Sequence, residues 1–188
     1  MLVGLGGLLL NKIDWDILNC LTDDFESMKQ IYPVIKKEDN ISFEETINRL
    51  ITLYEDGFVC LEDNDILNIE ELRVDVEKCE DDFSRFWFGL TSEGVKLWED
   101  NALKFSGSEI EWKNAWSASL DYKNGVGFMC GKTREICELF LKDHLNKEKE
   151  IILDESSLEY TTIEKFKVKY YKTINDGVKL SFRFKKIN

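Results

Sequence analysis

One histidine, one proline and no C-x-x-C pair occur in this chain of 188 residues, and each shortage excludes something. The lone His144 has no motif partner nearby and reads as a packed or surface imidazole, not as a catalytic base or metal ligand. Five cysteines (Cys20, Cys60, Cys79, Cys130 and Cys137) form an odd, scattered set. They point to free thiols in a reducing cytoplasm instead of a disulfide framework or zinc site. Cys130 and Cys137 alone make no metal site. No apolar run reaches the roughly 18–20 residues that a bilayer span needs. The opening MLVGLGGLLL lacks a basic n-region and a small-x-small cleavage site, which predicts a buried first strand or helix lead-in.

What is present is globular: 43% hydrophobic and 12% aromatic residues are enough to build a core in one domain or two small ones. The net charge of −12 is unevenly placed. Residues 1–105 hold 24 acidic and 10 basic side chains, whereas residues 106–188 hold 13 and 15. The asymmetry predicts two parts with different surfaces, divided near KFSGSE (104–109). The first part should repel polyphosphate, because affinity for nucleic acid rests on cations that neutralise phosphates.

In KIDWDILNCLTDD, Asp14 is a candidate N-cap, with Ile17, Leu18 and Leu21 on one helical face. A second helix starts near Phe25, and Pro33 predicts its end. The third is the clearest element. Ser42 followed by Glu45 is a capping-box pattern, and Phe43, Ile47, Leu50, Ile51 and Tyr54 make an apolar stripe. Gly57 is placed to stop this helix before a strand at Phe58–Leu61. EELRVDVEK reads as an irregular strand. A strand through Phe86, Trp87 and Phe88 then leads to a helix in SEGVKLWEDNA, capped by Thr91 or Ser92, with Gly94 permitting a close backbone approach.

Two of these stretches, FEETINRLITLYEDGFVCLED and FWFGLTSEGVKLWE, resemble the winged helix-turn-helix superfamily over about residues 12–102. The second is similar to the Y-x-L-T-x-x-G strand-to-helix turn of PadR- and MarR-type regulators. The 24 residues between the wing strands imply a long, acidic wing. By this resemblance Ser42, Glu44, Glu45, Asn48 and Arg49 lie where DNA-binding members meet base edges. Only Asn48, Arg49 and the Lys36-Lys37 pair suit nucleic acid, whereas Glu44 and Glu45, with Glu62, Asp63, Asp65, Glu70 and Glu71 of the wing, oppose it.

The second half reads as strand-strand-helix-strand-strand-strand. Two strands join at KNG, and a helix follows with Ile136, Cys137, Phe140, Leu141 and His144 on one side. After a short strand at EIILDE comes an expected hairpin turning at NDG. Phe166, Val168 and Tyr170 alternate with Lys165, Lys167 and Lys169; Leu180, Phe182 and Phe184 alternate with Lys179, Arg183 and Lys185. One face of it is apolar and one is basic. The basic face suits solvent, an acidic surface or a nucleic-acid backbone.

Chemical motifs are few. GVGFMCGKT imitates a phosphate loop, but Val126 stands where the first glycine belongs, and Phe128 and Met129 suit a strand. That disfavours a nucleotide enzyme built on Lys132 and Asp154, and leaves Thr133 as a helix cap. The pairs Asp23-Asp24 and Asp81-Asp82 read as solvated surface, and no nucleophile-base-orienter set is visible.

The expectation is an α+β chain: a winged-helix-like unit over 1–105 (helix-helix-helix-strand-strand-helix), then a ββαβββ unit over 106–188 with a C-terminal antiparallel hairpin. The expected function is non-enzymatic, cytoplasmic, and without cofactor, metal or membrane. It is binding of a basic protein partner in an immunity-, antitoxin- or inhibitor-type role, in a bacterium or phage. The alternative is a winged-helix transcriptional regulator whose second half senses a ligand or dimerises.

Overall fold

The fold is that of a computed structural model, which describes residues 10–62, 72, 86–107, 110, 113–147, 150–169 and 172–187. The expected lead-in at residues 1–9, nearly all of the expected strand at EELRVDVEK, and Cys79, Asp81 and Asp82 lie outside the described residues. The architecture is α+β, in two compact units, Met1–Asn101 and Ala102–Asn188.

The first unit opens with α1 (Lys12–Cys20), α2 (Met28–Asp39) and α3 (Phe43–Glu55). Asn11, not Asp14, caps α1. Its carboxamide accepts from the Asp14 N–H at 2.9 Å, while the Asp14 carboxylate accepts from the Asn11 N–H at 3.4 Å. Asp14 is therefore the third-position partner in a reciprocal capping box. Ile17, Leu18 and Leu21 are fully buried as the periodicity required. Pro33 does not end α2 but lies inside it, and the helix runs on to Asp39. Proline removes one ladder donor there, and both Pro33 and Lys29, whose carbonyl loses that donor, sit on the exposed side. The buried Met28, Ile31 and Ile35 on the opposite face hold the helix together.

Ser42 caps α3, accepting from the Glu45 N–H at 3.1 Å. The helix ends as expected at Gly57, whose φ of 78° is left-handed. The N–H of Phe58 returns to the carbonyl of Leu53 and that of Gly57 to Tyr54, the pairing that satisfies the last turn's carbonyls. β1 (Val59–Leu61) then pairs antiparallel with β2 (Phe88–Leu90), Cys60 opposite Gly89. Glu26 adds a bridge to Phe88 that no local pattern signals.

The Leu-Thr-x-x-Gly turn joins β2 to α4 (Ser92–Phe105). Thr91 is the cap: its hydroxyl accepts from the Gly94 N–H at 3.0 Å and donates to the Gly57 carbonyl at 2.7 Å. Its own N–H donates to the Phe58 carbonyl at 3.1 Å. A Cβ on Gly94 would stand 1.9 Å from that same Phe58 oxygen. The motif is thus a weld between the end of α3 and the start of α4, and it tolerates no side chain at Gly94. Trp15 and Trp98 stack with centroids 6.3 Å apart, and Trp15 Nε1 donates to the Trp98 carbonyl at 3.1 Å.

The second unit is a four-stranded antiparallel sheet with one helix on it. β3 (Ala115–Asp121), β4 (Val126–Gly131), α5 (Arg134–Lys147), β5 (Ile151–Ile163), β6 (Phe166–Lys169), β7 (Lys172–Ile174) and β8 (Gly177–Lys186) follow in order, and the sheet order is β3-β4-β8-β5. Thr133 caps α5 through the Ile136 N–H, as expected. Cys137, Phe140 and Leu141 of α5 pack on Met129, Leu180 and Phe182 of the sheet. Each such fully buried apolar side chain contributes about 1.5–3 kcal/mol.

The C-terminal antiparallel hairpin is present, but its strands are β5 and β8, with Ile163 opposite Gly177. The lysine-alternating segment pairs with β7 in a separate two-stranded sheet. The expected pairing of this segment with Leu180–Phe184 is therefore not formed over Phe166–Lys169; Tyr170 lies outside the described residues. β5 is longer than EIILDE suggests because it absorbs a bulge: five steps of β5, Asp154 to Glu159, face two of β8, Arg183 to Ser181.

Candidate functional site

Two surfaces gather the residues singled out in the sequence, one in each unit. On α3, packing of Ile47, Leu50 and Ile51 inward leaves Glu44, Glu45, Asn48, Thr52 and Glu55 exposed. Arg49, the helix's one cation, lies between these faces and is taken up by acids. Its Nη1 donates to Asp14 Oδ1 and its Nη2 to Glu45 Oε1, each at 3.1 Å. Burial works against the guanidinium's charge, but the hydrogen bonds to Glu45 and Asp14 outweigh it and raise its pKa above the ordinary value. These residues, with Asn48, Thr52 and Leu53, line a groove of about 380 Å³. Of the remaining residues expected here, Glu62 is exposed beside β1, while Asp63 and Asp65, like Glu70 and Glu71, lie outside the described residues. Lys36 and Lys37 are exposed near the end of α2, Lys36 Nζ 5.6 Å from the Tyr32 ring and Lys37 Nζ 3.8 Å from Glu38.

The expected basic hairpin face is divided. Lys165 and Lys167 are exposed before and within β6, and Lys169 is the last residue of that strand. Lys179, Arg183 and Lys185 belong to β8, on the sheet face opposite α5, since Leu180, Phe182 and Phe184 alternate with them into the core. Cross-strand register then decides their surroundings. Arg183 stands between Val126 and Asp154, Ser181 between Phe128 and Glu159, and Lys179 between Cys130 and Thr161. The face is not a cationic stripe but a lattice of cations, carboxylates, hydroxyls and one aromatic ring. Lys179 Nζ lies 4.6 Å from the centroid of Phe128. A depression of about 570 Å³ covers this lattice, extending to Asp121 at one side and to the bulge at Ser156 and Ser157 at the other. Ser157 Oγ accepts from the Arg183 N–H at 2.7 Å, so the bulge is tied to β8 by a side chain.

The described cysteines are all free thiols whose pKa values are raised. Burial, reinforced by Asp16, Glu26 and Asp39, pushes the Cys20 thiol up to about 12. Burial pushes Cys137 up to about 11 and also raises Cys60 and Cys130. A thiol held protonated is a poor nucleophile and a poor metal ligand. Among the described residues no group of three or more His, Cys, Asp and Glu is placed to hold a metal ion. His144 packs edge-on against Phe140, with centroids 5.9 Å apart. Phe128 and Met129 lie inside β4, as the departure from a phosphate loop required. No helix among the described residues is long and apolar enough to cross a membrane.

Sequence reasoning missed Asp14 as the anchor of Arg49, because 35 positions separate them and each looks surface-bound alone. It also missed the carboxylates beside the β8 cations, which only the register brings there. No family model matches the chain, and no curated protein or solved structure shows significant similarity to it.

Proposed function

We propose that the chain is a non-enzymatic interaction protein whose first unit is winged-helix-like and binds a basic protein partner through the outer face of α3. An immunity-, antitoxin- or inhibitor-type role in the cytoplasm fits such a surface. One observation carries the reading: the two ion pairs of Arg49 consume the only cation of α3, while Glu44 and Glu45 stay at the surface. Carboxylates there repel phosphate within a Debye length of about 8–10 Å and attract a cationic partner over the same range, which speeds association. The order of helices and the Thr91–Gly94 weld support the winged-helix comparison.

The test is a double charge reversal, Glu44→Lys with Glu45→Lys, on the full chain. Affinity capture from native lysate should retain a basic protein in stoichiometric amount on the wild type and lose it on the variant, with the wild-type on-rate falling as salt rises. Retention of no such protein would end this reading. A mobility shift of duplex DNA by the wild type at low salt, abolished by Arg49→Ala, would establish the regulator instead.

A further inference from the structure

The four-stranded sheet has two edges of opposite character. The β5 edge is blunted by the bulge between Asp154 and Glu159 and by the exposed acids Asp154, Glu155 and Glu159. Such features obstruct the docking of another strand. The β3 edge, AWSASLD, has no proline, glycine, lysine or arginine, and its one charge, Asp121, is its last residue. Nothing on this strand but a bulge at Trp116 discourages pairing.

The register shows which backbone groups are unused. Phe184 donates to the Gly125 carbonyl, so by alternation Gly127 and Met129 also direct their backbone groups to β8, and Val126, Phe128 and Cys130 direct theirs to β3. Their partners Asp121, Ser119 and Ser117 are thereby satisfied. Ala118 and Leu120 point their N–H and C=O away from the sheet, and no described residue meets them.

We propose that β3 pairs antiparallel with β3 of a second copy of this chain, about a twofold axis at Ser119, to make one continuous sheet. In that register Ala118 of each copy exchanges both backbone hydrogen bonds with Leu120 of the other. On the helix-covered face an apolar side chain meets an apolar one. On the open face Ser119 meets Ser119, and Ser117 meets Asp121, a hydroxyl donor opposite a carboxylate; no like charges oppose. Moving the axis to Ala118 would set Leu120 against the bulged Trp116, and moving it to Leu120 would run half the pairing off the strand end. The sequence therefore matches itself at one register, which is the argument for a second copy over a foreign strand. Asp121 keeps its turn contacts with Lys123 and Asn124 in this arrangement, since a carboxylate accepts several bonds.

The test uses the full chain and two variants at one exposed position. Wild type should dimerise reversibly in sedimentation equilibrium. Ser119→Lys places like charges face to face and should weaken the dimer about two- to fivefold, with the far-UV spectrum unchanged. Ser119→Cys sits at a non-hydrogen-bonded pair, with Cα atoms about 4.5 Å apart, inside disulfide range. Under mild oxidation it should give a covalent dimer that the wild type, with its own thiols, does not form and that reductant splits. A wild type that stays monomeric to about 100 µM would overturn the proposal. So would an S119K dimer as tight as wild type, or an S119C chain that does not cross-link.

Discussion

Arg49 on α3 and Arg183 on β8 mark a difference between the two units. Both look like exposed cations in the sequence, one amid acids and one in a basic alternation. In the first unit Arg49 is half-buried and gripped by Asp14 and Glu45, so the acidic helix loses its only cation to internal pairing. In the second unit Arg183 is exposed, with Asp154 across the strand but no ion pair to it among the described contacts. A helical unit pairs charges across its helices and closes on itself. A sheet lays its charges out at fixed spacing and leaves them available. Charge counts in the sequence therefore say little about which cations a partner can reach; tertiary neighbours decide it.

If the first unit is closed by internal contacts, its most sensitive point is the weld at Gly94. Gly94→Ala drives a methyl group into the Phe58 carbonyl, a backbone atom fixed on both sides. We expect a loss of about 3 kcal/mol, near the top of the range for overpacking. Hydrogen exchange should show the loss in amides of α3, β2 and α4, with the β4 and β8 ladder unchanged. Equal loss in both units would break the comparison. Thr91→Val keeps the shape but removes the hydroxyl that serves both Gly94 and Gly57. Denaturant unfolding should register about 2 kcal/mol, again confined to the first unit.

The arginines themselves sharpen the contrast. Arg49→Met leaves the buried Asp14 carboxylate without its ion-pair partner, only the Asn11 N–H remaining on it, and should cost about 1–2 kcal/mol. Arg183→Met should stay within about 0.5 kcal/mol. A paired thermal-melt measurement decides; equal effects would mean that Arg183 is held as firmly as Arg49.

What was legible in the sequence follows the same division. Ser42, Gly57, Thr91 and Gly94 act through neighbours within a few residues or through a backbone rule: Gly57 and Gly94 stand as expected, Thr91 is the cap of the two candidates Thr91 and Ser92, and Ser42 caps α3 while Glu45 turns to Arg49 instead of closing the box. Asn11 and Asp14 were confused because both ends of a reciprocal capping box carry a side chain able to cap. Pro33 misled because its penalty is smaller than the burial of Met28, Ile31 and Ile35 around it. The strand partner of β8 was missed because β5 hides its alternation: DESSLE includes the three residues absorbed by the bulge, whereas KFKVKYY alternates cleanly but belongs to a small separate sheet. Candidate surfaces were legible as residue types and illegible as neighbourhoods, since Asp14 meets Arg49 only through the packing of α1 on α3.

The smallest effect concerns an acidic contact inside the first unit. Burial raises the Asp16 carboxyl above its ordinary value of 3.8; the charge of Asp39 and a hydrogen bond with it add to this, against the opposing pull of Lys12. Asp39 Oδ2 is itself buried without a hydrogen-bond partner. A folded-state pKa above the unfolded one means that the protonated form favours folding. This contribution is complete below about pH 3.8 and is lost as pH rises through the raised value. Asp39→Asn removes the neighbouring charge and supplies an N–H donor to Asp16. At pH 7 the variant should therefore be more stable than the wild type, by about 0.5 kcal/mol, and the advantage should shrink as the pH falls through the raised value, where protonation of Asp16 removes the repulsion. An advantage of equal size above and below that value would locate the effect in the packing around Asn40, which caps α2 next in sequence, and not in repulsion between the two carboxylates.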